Sequence, residues 1–423
     1  MTEGKAAATP SASTRQLWRF LAVGAVLLAL VFPFLRATAN DRNHTLDFAT
    51  YFTAGKIVRQ DRSAALYNLD LQRRVQQRFA NAFLPYLHPP FEALVFAVLA
   101  GFSYSNALLI WDALNLLVWA LAAWQLHATG CRLTRFGQAL WWSLNLLFIF
   151  AVVMLGQDSL LLFPVYLFAF LALKRKREYA AGIWLGAGLF RFEILVPFAF
   201  LFLLRRRWKV LAGLLGMAVL WAGISLAMIG WQGVAGYVEL LARVGQPTGG
   251  HMSGMHISSM PTLRGLLVTA FAGVFPSRLL FAIVLAASLA LLIWAGWEFR
   301  GVRRPDGEAF NLEFSLSTIA ALLASYHSFV HELTPLIPVA FLLLGYEGIR
   351  PRMGVIANRS ATLLLLLFTM IFGIGWLVLG FHAFSIEALI LLGLLVWLAR
   401  ESAKLRKIAS AAGGDSRPPF EPA

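Results

Sequence analysis

Apolar runs of about membrane-spanning length recur along the chain, at 17–35, 108–126, 139–155, 210–229 and 361–379. Each approaches the ~20 residues with which an α-helix crosses ~30 Å of hydrocarbon. Helices are the expected form because backbone groups in lipid have no water to bond and must satisfy one another within the segment. Strands of a membrane barrel would alternate apolar and polar positions over ~10 residues, and these runs are continuous. With 59% hydrophobic and 13% charged residues among 423, the composition also excludes a soluble domain. The expected fold class is all-α: a polytopic integral membrane protein with roughly ten to twelve membrane helices.

The formal net charge of +15 suggests nucleic acid until the basic residues are placed. They sit at the ends of apolar segments: Lys174-Arg175-Lys176-Arg177, Arg205-Arg206-Arg207-Trp208-Lys209, Arg300 with Arg303-Arg304, Arg350 with Arg352, and Lys404 with Arg406-Lys407. Cytoplasmic loops carry such clusters under the positive-inside rule, and anionic headgroups account for them. No soluble module accompanies the charge, so nucleic acid is not an expected partner. The single Cys131 forms no internal disulfide and fits no metal spacing.

Placing those clusters inside leaves four segments outside: 36–89, the turn Gly156-Gln157-Asp158, 230–276 and 325–332. The expected layout is a cytoplasmic segment at 1–16, one transmembrane domain at 17–400 and a disordered cytoplasmic tail at 401–423. The first apolar run lacks a convincing cleavage site and reads as a retained anchor. Outer segment 36–89 repeats apolar positions at helical spacing, which predicts interfacial helices. It also carries Arg and Lys against the charge rule, which suggests that an anion is handled there. Between the two basic clusters at 174–209, the apolar stretch is broken by Arg191-Phe192-Glu193. Two inside clusters then predict a re-entrant hairpin whose charged tip is buried in protein or faces a cavity.

Segment 36–89 contains Asp47-Phe48, Tyr51, Ala54-Gly55, then Leu66-Tyr67, then Tyr86-Leu87-His88-Pro89-Pro90. Trp111 follows in the next helix, then Gly156-Gln157 before a long apolar run, then a basic residue in an apolar hairpin ahead of Arg206-Arg207-Trp208. In this order the elements resemble the polyprenyl-phosphate-sugar-dependent glycosyltransferases of the glycosyltransferase-C superfamily, in the branch of mycobacterial phosphatidylinositol mannoside mannosyltransferase. The resemblance runs from about residue 17 to 344. It departs at Arg191-Phe192, where such proteins often carry Lys-Pro, and at Asp158, where Asn is usual.

The resemblance implies inverting transfer of a hexose, mannose in that branch, from a polyprenyl-phosphate donor to an extracytoplasmic lipid or glycan acceptor. It implies a general base on the outer loop, at Asp47. An acceptor hydroxyl has a pKa far above neutral, so a positioned carboxylate contributes about 10² to 10⁴ in rate. Arg, Lys or His would meet the charge that develops on the departing phosphate. No cofactor and no metal are expected, since a polyprenyl-phosphate donor brings no nucleotide to clamp. The expected setting is the inner (plasma) membrane, with the site facing outward and the protein a monomer.

On residues alone, Asp47 reads equally as a helix N-cap or a solvated acid. Tyr51 shares its helical face, and Tyr86 and His88 join it as donor- or acceptor-binding candidates. Lys56 either reaches an anionic headgroup or is solvated. Gln157 and Asp158 bond sugar hydroxyls or cap helix ends. Arg191, with Glu193, lies near the donor phosphate or forms a local ion pair. Arg264 stands in a polar, lid-like stretch at 251–265 and is a phosphate candidate. His327 and His331, four apart, suit phosphate or sugar contact, a structural role at the interface, or a metal that has no third ligand nearby in sequence. A transporter or lipid flippase is the alternative, because polar residues among membrane helices also mark translocation paths. A scaffold for envelope enzymes is a third.

Overall fold

The structure, a computed structural model, describes residues 16–26, 29, 46–244, 256–298, 307–349, 359–375 and 384–411. The expected segment 1–16 up to residue 15, the tail beyond 411, and parts of both outer loops lie outside them. The described residues form helices and no β-strand. Helix α1 covers 16–26. Within 36–89 lie α2 (Leu46–Arg59) and α3 (Leu69–Gln76), and α4 (Ala93–Leu99) follows. There follow α5 (Tyr104–His127), α6 (Arg135–Leu155), α7 (Leu162–Lys174), α8 (Glu178–Ala187), α9 (Phe192–Leu204) and α10 (Trp208–Val244). The remainder is α11 (Leu263–Phe271), α12 (Ser277–Glu298), α13 (Glu308–Ala324), α14 (Leu336–Ile349), α15 (Ser360–Ile374) and α16 (Glu387–Ala411).

Among the described residues four of these, α5, α6, α10 and α12, are long and apolar enough to cross a membrane; the bent pair α8–α9 is apolar enough only when taken together, as one broken span or a re-entrant loop. The sequence expectation of ten to twelve spans counted apolar runs. Further apolar helices among the described residues are shorter, at Pro90–Leu99, Ser159–Lys174, Leu336–Ile349 and Ser360–Ile374, and most of the first apolar run, 17–35, lies outside the described residues. Helix α14 is buried from Leu336 to Glu347, so its apolarity answers to the protein around it; α13 is buried as well, from Phe310 to Ala324, and carries polar Asn311, Glu313 and Ser317 inside. By contrast, α10 and α12 leave most of their surface exposed, as lipid-facing helices do. The expected tail also begins later than residue 401, because α16 continues to Ala411.

The outer helices form as expected and pack into their own core of Phe48, Tyr51, Phe52, Phe96 and Trp111. Asn68 caps α3 by accepting the Leu71 amide at 2.9 Å. Two buried glutamines of α3 then hold the extended chain that follows. Gln76 accepts the Leu84 amide at 2.8 Å and donates to its carbonyl at 3.0 Å, and Gln72 accepts the Tyr86 amide at 2.8 Å. This clasp fixes Tyr86 and His88 against α2. Helix α2 meets α4 at Gly55, where any Cβ would run into the Phe96 carbonyl. Beyond its kink at Gly230, α10 leans over the same unit: Tyr237 stacks on Tyr67 at 4.5 Å and donates to the Leu87 carbonyl at 3.3 Å.

The predicted re-entrant hairpin is present. Helices α8 and α10 run side by side, tied at their starts by Arg207 to Glu178 at 2.7 Å and farther along by the Trp221 indole to the Gly186 carbonyl at 3.1 Å. Helix α9 therefore returns the chain, and both basic turns lie at one end. At that end Arg205 donates to Glu313 and Ser317 near the start of α13, at 3.0 and 2.9 Å. Three turns consequently point the other way: the α6–α7 turn, the α8–α9 tip and the α13–α14 loop. They converge beneath α2.

Candidate active site

Each converging element delivers one or two polar groups to a shared point. Helix α6 ends at Gly156, whose φ of 64° lies in the left-handed region that a terminating glycine adopts readily. A Cβ at this position would also press into Phe48 of α2. The Trp111 indole donates to the Gly156 and Gln157 carbonyls, at 3.2 Å each, and fixes the turn. Gln157 and Asp158 then project from it. Arg191 comes from the α8–α9 tip, Glu332 from the α13–α14 loop, and Asp47 and Tyr51 from one face of α2.

Arg191 is the hub. Its Nε donates to Asp158 Oδ1 at 3.0 Å, and its terminal nitrogens donate to Glu332 Oε1 at 2.5 Å, Gln157 Oε1 at 2.6 Å, the Tyr51 hydroxyl at 2.9 Å and, again, Asp158. Glu193 lies 3.8 Å away. Gln157 connects this hub to α2: its Oε1 accepts from the Tyr51 hydroxyl at 2.7 Å, while its Nε2 donates to Asp47 Oδ2 at 2.8 Å. Arg191 is 5% exposed and Asp158 1%, whereas Asp47 is only half-buried. The network therefore closes around the guanidinium and opens at the Asp47 carboxyl.

Desolvation pushes the Asp47 carboxyl up to about 6, against the Gln157 hydrogen bond and the Arg191 charge, both of which lower it. Asp158 is likewise pushed up to about 6 by burial, with Arg191 opposing. His88, His327 and His331 are each lowered to about 3, first by burial and then by nearby cations, so all three are neutral imidazoles at pH 7.

His88 packs edge-on to Tyr51 at 4.9 Å and stacks on Tyr86 at 5.5 Å. Its Nδ1 lies 3.0 Å from Glu92 Oε2. Tyr86 donates to the Pro89 carbonyl at 3.0 Å, an internal bond that shapes the Pro89-Pro90 turn. His331 stacks on Phe329 at 5.8 Å beside Glu332. The structure thus gathers Asp47, Tyr51, Tyr86, His88, Gln157, Asp158, Arg191 and His331 in one region.

Two sequence candidates stand apart from the hub. Lys56 lies more than two turns along α2 from Asp47, about 13 Å by helical rise, and sits over the Phe52 ring at 5.3 Å. Arg264 caps the Tyr326 ring at 3.9 Å and donates to the Tyr326 carbonyl at 3.1 Å, so it braces the loop that carries His327. Sequence reasoning missed Glu332 and Glu92. Each is a carboxylate in apolar surroundings, next to His331 and just past Pro89-Pro90, and that cost of burial was the available signal.

A sequence model described as glycosyltransferase family 87 matches residues 86–325, more than half of the chain and including Gln157, Asp158 and Arg191. No curated protein and no solved structure matches.

Proposed function

The chain belongs to glycosyltransferase family 87, and from that premise we propose that it transfers a hexose, mannose by resemblance, from a polyprenyl-phosphate donor to a lipid or glycan acceptor at the extracytoplasmic face of the plasma membrane. The observation that carries this reading is the Asp47 carboxyl, half-buried at the open edge of the network with one oxygen held by Gln157. In this reading Asp47 takes the acceptor hydroxyl proton as that oxygen attacks the anomeric carbon. The bond from that carbon to the phosphate oxygen breaks on the opposite face, and the configuration inverts. The electron pair leaves with polyprenyl phosphate, which needs no protonating acid. Gln157 orients the base, and Arg191 supplies positive charge close to it.

Family membership favours transfer over transport. The polar groups meet at a point beneath α2, as a reaction centre requires, and the half-buried acid among them matches the base that the chemistry needs. The test is transfer from radiolabelled polyprenyl-phosphate-mannose into lipid extract by the purified protein, with Asp47→Asn in matched detergent. Transfer by the parent and a loss of about 10² to 10⁴-fold in a folded, donor-binding variant is the expected result. Unchanged transfer by Asp47→Asn removes the base assignment. No transfer from this donor or from other polyprenyl-phosphate sugars removes the donor assignment.

A further inference from the structure

The polar centre holds more carboxylates than sugar transfer uses. Asp47, Glu92, Asp158, Glu193 and Glu332 all lie near Arg191, which is itself committed to Asp158 and Glu332. Glu92 receives neither Arg nor Lys; its polar neighbours are His88, Tyr86 and Asp158. Glu92 is 6% exposed and Asp158 1%, yet Glu92 Oε1 and Asp158 Oδ2 are buried and accept from no donor, the two carboxyls meeting one another. An unmatched buried carboxylate oxygen is costly, and two beside one another are more so.

His88, Glu92 and Asp158 each offer one donor atom, and these atoms lie within 4.8 Å of one another. Around an ion with bonds of about 2.1 Å, neighbouring ligands stand about 3 Å apart and opposite ones about 4.2 Å, so the set is near closure on a cation. The donors are held in advance. The His88 ring is fixed between Tyr51 and Tyr86, its carbonyl accepts from the Tyr67 hydroxyl at 2.7 Å, and Glu92 is set by the turn at Pro90–Glu92. Arg191 engages Oδ1 of Asp158 and leaves Oδ2 to a second partner, which is how an outer group orients a metal-binding carboxylate.

We propose that His88, Glu92 and Asp158 form a binding site for one divalent cation of the Mn²⁺ or Zn²⁺ class. One imidazole and two carboxylates suit these ions. The chemistry above requires no metal. On the transferase reading, a cation here adds the positive charge beside the donor phosphate that an already paired Arg191 supplies only in part.

Binding tests the site independently of turnover. Full-length protein is stripped with chelator and titrated with Mn²⁺, with the free ion followed by electron paramagnetic resonance and Zn²⁺ used as competitor. The expected result is one Mn²⁺ per chain, displaced by Zn²⁺, and at least about tenfold weaker in Glu92→Gln and His88→Gln but unchanged in Lys56→Ala. Should either site variant fold poorly, Zn²⁺ absorption-edge spectroscopy on the parent decides, with a first shell of one nitrogen and carboxylate oxygens expected. No stoichiometric binding by the parent, equal affinity in both site variants, or a different ligand shell overturns the proposal, and Glu92 and Asp158 then satisfy one another through a shared proton. Transfer without metal binding leaves the transferase reading standing, and metal binding without transfer leaves this one.

Discussion

Asp47 presents a carboxyl whose two oxygens have different surroundings, one tied to the Gln157 amide and the group as a whole half-open. Burial holds its proton up to about pH 6. The ionised form is the base, so transfer should rise as pH increases through about 6 and level off above, with the limb absent from the residual rate of Asp47→Asn; a pH–rate profile checks this. Arg191 is placed differently. Removing it strands Asp158 and Glu332 in a dry interior, so Arg191→Ala should lose about 3–5 kcal/mol of stability, read by thermal unfolding in detergent. Arg191→Lys should retain part of that stability but lose the multiple contacts that only a planar guanidinium makes. Arg191 stood out in the sequence because a charge amid an apolar run is costly, whereas Asp47 stood out only through the resemblance to a known family. The sequence left Glu332 unremarked because its partner Arg191 lies 141 residues away in the chain, and Glu92 because its packing against His88 and Tyr86 shows only once the turn between them is folded.

At the level of elements, the re-entrant α8–α9 hairpin was legible from charge placement alone: two basic turns with an apolar stretch between them admit few other paths. The outer helices were legible from spacing. The clasp that Gln72 and Gln76 make on residues 84–86 was not, since glutamine in a polar helix carries no pattern that separates a buried bond from a solvated side chain. The contact of α2 with α4 is similarly invisible until built. Gly55→Val should force these helices apart, cost about 1–3 kcal/mol and lower transfer by displacing Asp47, while the membrane core stays intact. Protease resistance of the outer segment, measured beside helicity by circular dichroism, distinguishes that local loss from general unfolding.

For the whole molecule, the basic turns and the α2–α4 unit lie at opposite ends of the hairpins, and on the proposed orientation the α2–α4 unit faces outward. A membrane-impermeant maleimide applied to intact cells should label Ala82→Cys, and label Arg175→Cys only after permeabilisation, with Cys131→Ser as background. Among the described residues four helices, or five with the bent pair, are long and apolar enough to cross a membrane, and counting apolar runs cannot tell a helix surrounded by lipid from one surrounded by protein, as α14 shows. That difference in length has a further effect. Helices α5, α6 and α12, at 24, 21 and 22 residues, are long enough to span the hydrocarbon, whereas α7 and α9, at 13 residues each, rise only about 20 Å. The tip that carries Arg191 is thus reached by a short helix, and the α2–α4 unit packs over the polar centre. On the transferase reading a lipid-linked headgroup would have to pass that unit, so transfer in vesicles of thinner and thicker lipids should differ, because bilayer thickness sets how far the headgroup must travel.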